Sequence, residues 1–364
     1  MRLIGEEQLE DIALGAAILG TGGGGDPYIG KLLARQAIRE HGPVQLVDIE
    51  EVPDDAFVIP SAMMGAPTVM VEKLPRGDEV VAAFDRLNHH FGDRATHTVP
   101  IEVGGINSTI PIVLAARKGL PLVDADMMGR AFPELQMCLP GIFGVSAAPM
   151  AIADDKGNGA VLDTVDNHWT ERLARSITID MGCAALIALY SISGAQLREG
   201  MIAGSLSLAE ELGRLVRETR RAHGDVIGAI VDRLSGFPLF TGKVVDLNRR
   251  TVAGFARAEV RIEGLGGDAG STAQLFTQNE HLVAMREGEV LASTPDLIMV
   301  LDSETGQPIT TEELRYGFRV TVIATASDPR WRTDEGIEVV GPRYFGYDFD
   351  YVPVERRVSA RAAV

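Results

Sequence analysis

The sequence LGTGGGGDP occupies residues 19–27 and separates two segments with helical residue patterns. The segment before it, from Gln8, reads as a helix. The run Gly22 to Gly25 must end that helix, because four consecutive glycines lose too much backbone entropy to remain helical. Asp26 then suits an N-cap, and Pro27 suits the first position of a second helix.

Strand-like and helix-like segments alternate through the first 165 residues, which is typical of an α/β domain with a mostly parallel sheet. We therefore predict a Rossmann-like, three-layer α/β domain over residues 1–168. Bridging helices are expected over residues 169–236, and a β-rich α+β domain over residues 237–364.

Three local patterns refine this division. The apolar residues 181–195 are shorter than the roughly 20 residues that a bilayer requires, so we place them in a long buried helix over residues 171–196 that includes Cys183. Residues 207–210 form a capping-box pattern that opens another helix. Residues 344–352 are rich in strand-forming side chains.

The charge and cysteine content narrow the class of protein. With 34 basic and 51 acidic residues the formal net charge is −17, which disfavours a nucleic-acid partner. The arginine-rich residues 214–221 include Glu218 and are interpreted as a solvated helix face. Two cysteines without metal-type spacing, and a start without an apolar signal segment, predict a cytoplasmic protein with no membrane partner. A homo-oligomer is expected from the base rate for such enzymes.

Glycine and polar residues follow three of the predicted strands: MMGAP at 63–67, EVGGIN at 102–107, and DAD at 124–126. Ligands of parallel sheets bind beyond the carboxyl ends of the strands, so we expect a small-molecule substrate at this edge. The predicted substrate-binding residues are Gly22, Gly23, Gly24, Gly25, Gly65, Gly104, Gly105, Asn107, Arg130 and Glu134.

Asp124 and Asp126 are two residues apart and would face the same side of a continuing strand. Two neighbouring carboxylates require a cation, a shared proton or an arginine, and Arg130 is the nearest arginine in sequence. Together with Glu102 they are the predicted catalytic residues, as a divalent-metal site on Asp124 and Asp126 or as a base with its orienting partner. Alternatively, one aspartate caps a helix near Met127 and Glu102 pairs with Arg130.

The glycine run also admits more than one interpretation. Gly20, Gly22 and Gly25 satisfy G-x-G-x-x-G, and free amides at a helix start favour an anion. The preceding segment reads as a helix rather than a strand, which weakens a dinucleotide site. The alternatives are a flexible turn or a loop that closes over a small substrate.

The histidines give weaker signals. A zinc site could use His97 with either His89 or His90, and His168 could act as an acid or base. The histidines interpreted as surface residues are His41, His223 and His281.

Three motifs resemble the S-methyl-thiohydantoin desulfurase-like family, the former DUF917 family. They are LGTGGGGDP at 19–27, EVGGIN at 102–107 and DADMMGRAFPE at 124–134, of which GRAFPE is the most specific. GKV at 242–244 and PDLI at 295–298 resemble the C-terminal domain of that family, so the resemblance spans nearly the whole chain.

The resemblance implies a two-domain protein, often encoded beside hydantoinase- and oxoprolinase-type enzymes, whose substrates are small five-membered cyclic amides or thio-analogues. We therefore predict a hydrolase that cleaves a C–S or cyclic amide C–N bond, with a divalent metal as its expected cofactor. The Gly22 to Gly25 amides would stabilise the developing oxyanion or thiolate, and Arg130 would bind an acidic group of the substrate.

Two other functions stay open at this point. One is a non-catalytic subunit or small-molecule binding protein that partners a hydantoinase- or oxoprolinase-type enzyme. The other is a nucleotide-dependent enzyme that uses the glycine run. The chain lacks the His-x-His pattern of metal-dependent cyclic amidohydrolases, so hydrolysis here would need a different site.

Overall fold

A computed structural model describes residues 1–25, 27–66, 69 and 76–362. Asp26, the expected N-cap, and Pro67, part of the first strand end, lie outside the described residues. The described α-helices are α1 (Glu6–Leu19), α2 (Pro27–His41), α3 (Asp78–His90), α4 (Ile110–Lys118), α5 (Leu139–Ile142), α6 (Asn167–Asp180), α7 (Gly194–Gly200), α8 (Ser205–Arg221), α9 (Val226–Leu234), α10 (Asp334–Val340) and α11 (Val354–Ala362).

The strands of the N-terminal half are short, and those of the C-terminal half are longer. They are β1 (Arg2–Ile4), β2 (Val44–Val47), β3 (Phe57–Val58), β4 (Ser61–Gly65), β5 (Leu122–Val123), β6 (Ala125–Asp126), β7 (Met150–Ala153), β8 (Gly159–Leu162), β9 (Ala184–Ala188), β10 (Ile192–Ser193), β11 (Ile202–Ala203), β12 (Phe237–Val252), β13 (Phe255–Gly264), β14 (Thr272–Gln278), β15 (Glu280–Arg286), β16 (Glu289–Ser293), β17 (Leu297–Asp302) and β18 (Arg319–Thr325).

The N-terminal sheets are small and mixed. One has the order β4-β9-β7-β8 and is antiparallel throughout. Another has the order β1-β2-β5, in which only β2 and β5 are parallel. A Rossmann-like domain with a mostly parallel sheet is therefore not confirmed, because β9 lies between β4 and β7 and runs antiparallel to both. The coarser prediction of a mixed α/β protein with a β-rich C-terminal part is confirmed.

The long helix predicted over residues 171–196 is wrong. Helix α6 ends at Asp180, and Gly182 and Cys183 take positive φ values of 90° and 64° in a turn. The apolar residues that follow form β9, all five of which are buried. A short apolar run fits a buried strand and a buried helix equally well, and here Gly182 marks the turn between them. Cys183 is a half-buried turn residue.

The predicted strand edge does exist. Isolated parallel bridges join Ser61 to Pro100 and Thr98 to Leu122, so the segment 97–101 lies between β4 and β5. Three chain segments that run in the same direction therefore end side by side. This brings the residues after β4, after Ile101 and after β5 to one edge, as the sequence indicated.

The C-terminal half contains one antiparallel sheet with the order β16-β15-β14-β13-β12-β18-β17. Helix α1 packs with α8 and α9 against β17 through a shared apolar core. This core joins the N-terminal helix to the C-terminal sheet. The strand expected over residues 344–352 is wrong, since these residues form turns and irregular backbone after α10.

Within the described ranges, no helix is both long enough and apolar enough to cross a membrane.

The glycine run packs backbone to backbone against the loop that follows the segment 97–101. Gly24 has a φ of +80°, and a Cβ on it would lie 2.4 Å from the carbonyl carbon of Gly104. A Cβ on Gly105 would lie 1.8 Å from the Gly25 oxygen. The backbone N–H of Asn107 donates to the Gly24 carbonyl at 3.3 Å. Both loops therefore need glycine in order to touch.

We expect Gly24→Ala to lower the free energy of unfolding by about 2–4 kcal/mol, because the new methyl group meets backbone and the φ is strained. Gly144 is the matched control, since its φ is also +80° but a Cβ on it would have no neighbouring atom within 4 Å. Gly144→Ala should cost only about 1 kcal/mol. Chemical denaturation measures both, and equal losses would contradict the close packing of the two loops.

Candidate active site at the domain junction

A narrow cleft lies where the strand edge meets the C-terminal sheet. Its cavity volume is about 50 Å³. One water needs roughly 10–15 Å³ by the same measure, so the cavity has room for about three to five waters or one small ring. The predicted site residues that line it are Gly24, Gly25, Gly65, Glu102, Asn107 and Glu134. The cleft is also lined by Arg175, Asn279 and Glu280, which the sequence analysis missed.

Glu102 is the buried carboxyl on the N-terminal side of the cleft, with 5% of its surface exposed. Burial raises its pKa to about 7, although a hydrogen bond from Asn107 opposes the rise. The Asn107 Nδ2 donates to the Glu102 Oε1 at 2.6 Å. The same carboxyl can therefore give up or take a proton near neutral pH.

Asn107 fixes the position of Glu102 against the end of β4. Its Oδ1 accepts from the Met63 amide at 2.7 Å, and its Nδ2 donates to the Met63 carbonyl at 3.2 Å. The side chain thus substitutes for a neighbouring strand at this point. Asn107 itself lies in a 3-10 turn, and α4 begins at Ile110.

Glu280, at the start of β15, brings a second buried carboxyl from the C-terminal sheet. It is 3% exposed, and its Oε2 has no hydrogen-bond partner within the described part of the chain. Burial raises its pKa well above 4.5, and the nearby Glu102 carboxyl raises it further while Arg130 opposes the shift. The protonated form of Glu280 is therefore favoured. A Cβ on Gly23 would lie 2.1 Å from its Oε1, so glycine at position 23 makes room for this carboxyl.

Asp126 is fully buried, does not line the cleft, and accepts hydrogen bonds from backbone amides. Its Oδ2 accepts from the amides of Val103, Met128 and Gly129 at 3.1, 3.0 and 2.7 Å. Burial raises its pKa to about 6. The carboxylate thereby fastens the turn after β6 to the segment that carries Glu102.

Asp124 does not line the cleft, and its carboxylate caps α8. Its Oδ1 accepts from the amides of Leu206 and Ser207 at 3.0 and 3.1 Å, and the Ser207 hydroxyl donates to its Oδ2. The capping box predicted over residues 207–210 is wrong, because α8 begins at Ser205 and a carboxylate distant in sequence does the capping. The alternative, an aspartate that caps a helix near Met127, is also wrong, because residues 127–138 form no helix and Asp124 caps α8 instead.

The donor set does not fit a divalent ion. Asp124 and Asp126 face different backbone amides, and the described ranges contain no group of three His, Cys, Asp or Glu side chains that could hold a metal. His89 lies on the surface beside Asp93, and His97 contacts Thr96.

Arg130 is buried at the junction and does not line the cleft. Its guanidinium donates to the carbonyls of Ala131, His281, Pro295 and Asp296 at 2.7–3.2 Å. The side chain thus joins the GRAFPE motif to the C-terminal half. Its positive charge lies near both Glu102 and Glu280 and favours their ionised forms.

His281 is fully buried, so its interpretation as a surface residue is wrong. Its ring packs against Gly22, where a Cβ would lie 2.7 Å from the ring. Burial, with Arg130 nearby, lowers its pKa to about 3, so the ring is neutral. The His281 amide donates to the Thr21 carbonyl at 2.8 Å, and the Thr311 amide donates to the Gly22 carbonyl at 2.9 Å. The C-terminal half therefore holds the glycine run in place.

Glu134 and Arg175 also line the cleft. Glu134 accepts from the Tyr344 hydroxyl at 2.7 Å and from Gln136 and Gln278 at 2.5 and 3.4 Å. Arg175 donates to Glu171 at 2.7 Å and to the Pro133 carbonyl at 2.9 Å.

The fold and the cleft define a two-domain α/β protein with paired buried carboxyls at the domain junction. The family model described as S-Me-THD-like, N-terminal domain, matches residues 7–164, and the model for the S-Me-THD-like C-terminal domain matches residues 165–354. The chain belongs to this S-methyl-thiohydantoin desulfurase-like family, which confirms the resemblance found in the motifs.

A crystal structure of a protein from Chromobacterium violaceum has the same fold. Its TM-score is 0.80 at 24% identity, and the match covers 97% of this chain and 100% of that chain. At this identity the likeness establishes the fold alone. A comparison with curated proteins gives no match.

Glu102→Gln should stabilise the protein at alkaline pH. The pKa of Glu102 is about 7 in the folded protein and 4.5 in the reference state, so folding favours the protonated form and stability falls as the pH rises between these values. Glutamine removes this loss and retains an oxygen that accepts from Asn107. We expect a gain of about 2–3 kcal/mol near pH 8 and little change near pH 4.

Denaturation of both proteins at the two pH values measures this difference. Glu7→Gln, which alters an exposed carboxyl in α1, is the control and should give the same small change at both values. A gain for Glu102→Gln that does not depend on pH would show that Glu102 titrates normally.

Proposed function

We propose that the chain is an enzyme that hydrolyses a small thiohydantoin-like ring at the carbon that bears sulfur. The observation that carries this proposal is the pair of buried carboxyls, Glu102 from the N-terminal half and Glu280 from the C-terminal sheet, that line one small cleft. Family membership supports the ring class. Perturbed carboxyls in a cleft are a common feature of acid–base sites.

The two carboxyls suit complementary roles. Glu102, with a pKa of about 7, accepts a proton from water as the water oxygen bonds to the ring carbon. Glu280, protonated because burial raises its pKa, donates a proton to sulfur as the C–S bond breaks. With an S-methyl ring, C–S cleavage gives methanethiol and a ring hydroxyl, and the hydroxyl proton moves to the ring nitrogen to give the cyclic amide. Transfer through solvent of the proton held by Glu102 to Glu280 then restores both carboxyls for the next turnover.

The glycine run contributes the remaining wall. Gly24 and Gly25 line the cleft, and backbone amides held rigidly there can stabilise negative charge that develops during the attack. The stabilising role that the sequence predicted for the amides of Gly22 to Gly25 is thus proposed for Gly24 and Gly25, the two glycines of the run that line the cleft. Since α1 rather than a strand precedes the run, a dinucleotide site has less support.

We expect Glu102→Gln and Glu280→Gln each to lower kcat by about 100-fold or more, the range typical of lost acid–base catalysis. Release of thiol from an S-methyl-thiohydantoin measures turnover. In the unmodified protein kcat should fall as the pH drops through about 7, because Glu102 becomes protonated.

Asp124→Asn distinguishes this site from the aspartates predicted by sequence. It should retain turnover, because Asp124 lies outside the cleft and asparagine is also a good helix cap. Full activity in both glutamate variants would contradict the proposed function. Binding of the ring without any turnover by the unmodified protein would instead support the non-catalytic alternative.

A further inference from the structure

We propose that the exposed face of helix α6 is the contact surface between two copies of this chain, related by a two-fold axis at Ser176. The inference does not depend on the proposed function, and it gives the homo-oligomer expected from the sequence a specific interface. The α6 outer face consists of six exposed residues: Trp169, Arg172, Leu173, Ser176, Ile179 and Asp180.

Helix α6 carries apolar side chains on two sides. On its inner side Ala174 is fully buried and Arg175 lines the cleft. On the outer face Trp169, Leu173 and Ile179 are 43, 39 and 42% exposed. A surface helix usually confines its apolar residues to the packed side, and apolar residues that are exposed together on one face are typical of an interaction surface.

The turn between β12 and β13 extends this apolar surface. A Cβ on Gly254 would lie 3.5 Å from the Ile179 Cδ1, so the turn lies against the C-terminal end of α6. Val252, two residues earlier, is 41% exposed. When two α6 helices pack antiparallel, the Trp169 end of each helix meets this apolar end of the other. One surface thus supplies both halves of the contact, as a two-fold interface requires.

The charges on the outer face favour a second copy as the occupant. Arg172 lies four residues before Ser176, and Asp180 lies four residues after it. A two-fold axis at Ser176 therefore brings Arg172 of each copy to the level of Asp180 of the other, and two ion pairs can form. Asp180 lies in the last turn of α6, where the helix dipole disfavours a carboxylate and α6 itself has no basic residue. The arginine of the second copy would compensate that charge.

The residue at the proposed axis allows the two helices to approach closely. The Ser176 hydroxyl donates to the Arg172 carbonyl at 3.0 Å, so this small side chain lies along its own helix. The Arg172 guanidinium carbon lies 4.9 Å from the centroid of the Trp169 ring, which keeps the cation on the outer face. Small side chains at a crossing point shorten the distance between helix axes.

Sedimentation equilibrium at increasing protein concentration tests the inference. One helix pair with two turns makes a small interface, so we expect a dimer with a Kd on the order of 10 µM. Ser176→Glu should raise the Kd by about 100-fold or more, because it places two carboxylates at the axis. Arg172→Glu should also raise the Kd, because the glutamate meets Asp180. Adding Asp180→Arg to Arg172→Glu should restore the dimer.

Arg214→Glu is the matched control, since it reverses an exposed helical arginine of α8 that lies outside the outer face, and it should leave the Kd unchanged. An unmodified protein that is monomeric at every concentration would overturn the inference. A dimer that Ser176→Glu and Arg172→Glu leave intact would also overturn it, because another surface would then hold the two copies together.

Crosslinking decides the matter even if a charge variant folds poorly. In a Cys183→Ser background, Ser176→Cys should give a disulfide-linked dimer on mild oxidation, because a residue at a two-fold axis meets its own copy. Ser359→Cys, at an exposed position of α11, should give none. Equal crosslinking of the two variants would contradict the placement of the axis at Ser176.

Discussion

The arrangement of the site depends on the close contact between the glycine run and the loop that follows the segment 97–101. Gly24 touches Gly104, and Gly105 touches Gly25, at distances that leave no space for a side chain. The C-terminal half holds the run from the other side through the amides of His281 and Thr311. Because the run lies between these two partners, the strand edge and the C-terminal sheet close around one small cleft.

This closure determines the electrostatics of the cleft. Glu102 comes from the N-terminal side and Glu280 from the C-terminal sheet, and burial at the junction raises the pKa of both. Arg130 supplies positive charge close to the pair while its hydrogen bonds go to backbone carbonyls. Burying two carboxyls lowers the stability of the folded protein, and such destabilising arrangements are common at active sites. The family to which the chain belongs gives this chemistry its proposed substrate, a thiohydantoin-like ring.

The sequence predicted the part of the site that is formed by residues directly following the N-terminal strands. Strand ends that run in parallel meet at one edge, so Glu102, Asn107 and Glu134 could be placed together without a structure. Asp124 and Asp126 have the same residue type as catalytic carboxylates, but only their hydrogen bonds show that one caps α8 and the other holds a turn. Glu280 lies about 180 residues from Glu102 in a strand of the other domain, and no spacing rule connects them. The β9 strand was missed because its apolar residues fit a helix equally well.

The central claim is that Glu280, buried in the same cleft as Glu102, acts as a protonated acid near neutral pH. Infrared difference spectroscopy measures it directly, since the carbonyl stretch of a protonated carboxyl is separate from that of a carboxylate. The account predicts protonated-carboxyl absorption near pH 7 in the unmodified protein that Glu280→Gln reduces, while the part that comes from Glu102, whose pKa is about 7, remains. The band should persist in Asp124→Asn. A spectrum near pH 7 that shows no such band, or a band that Glu280→Gln leaves unchanged, would contradict the account.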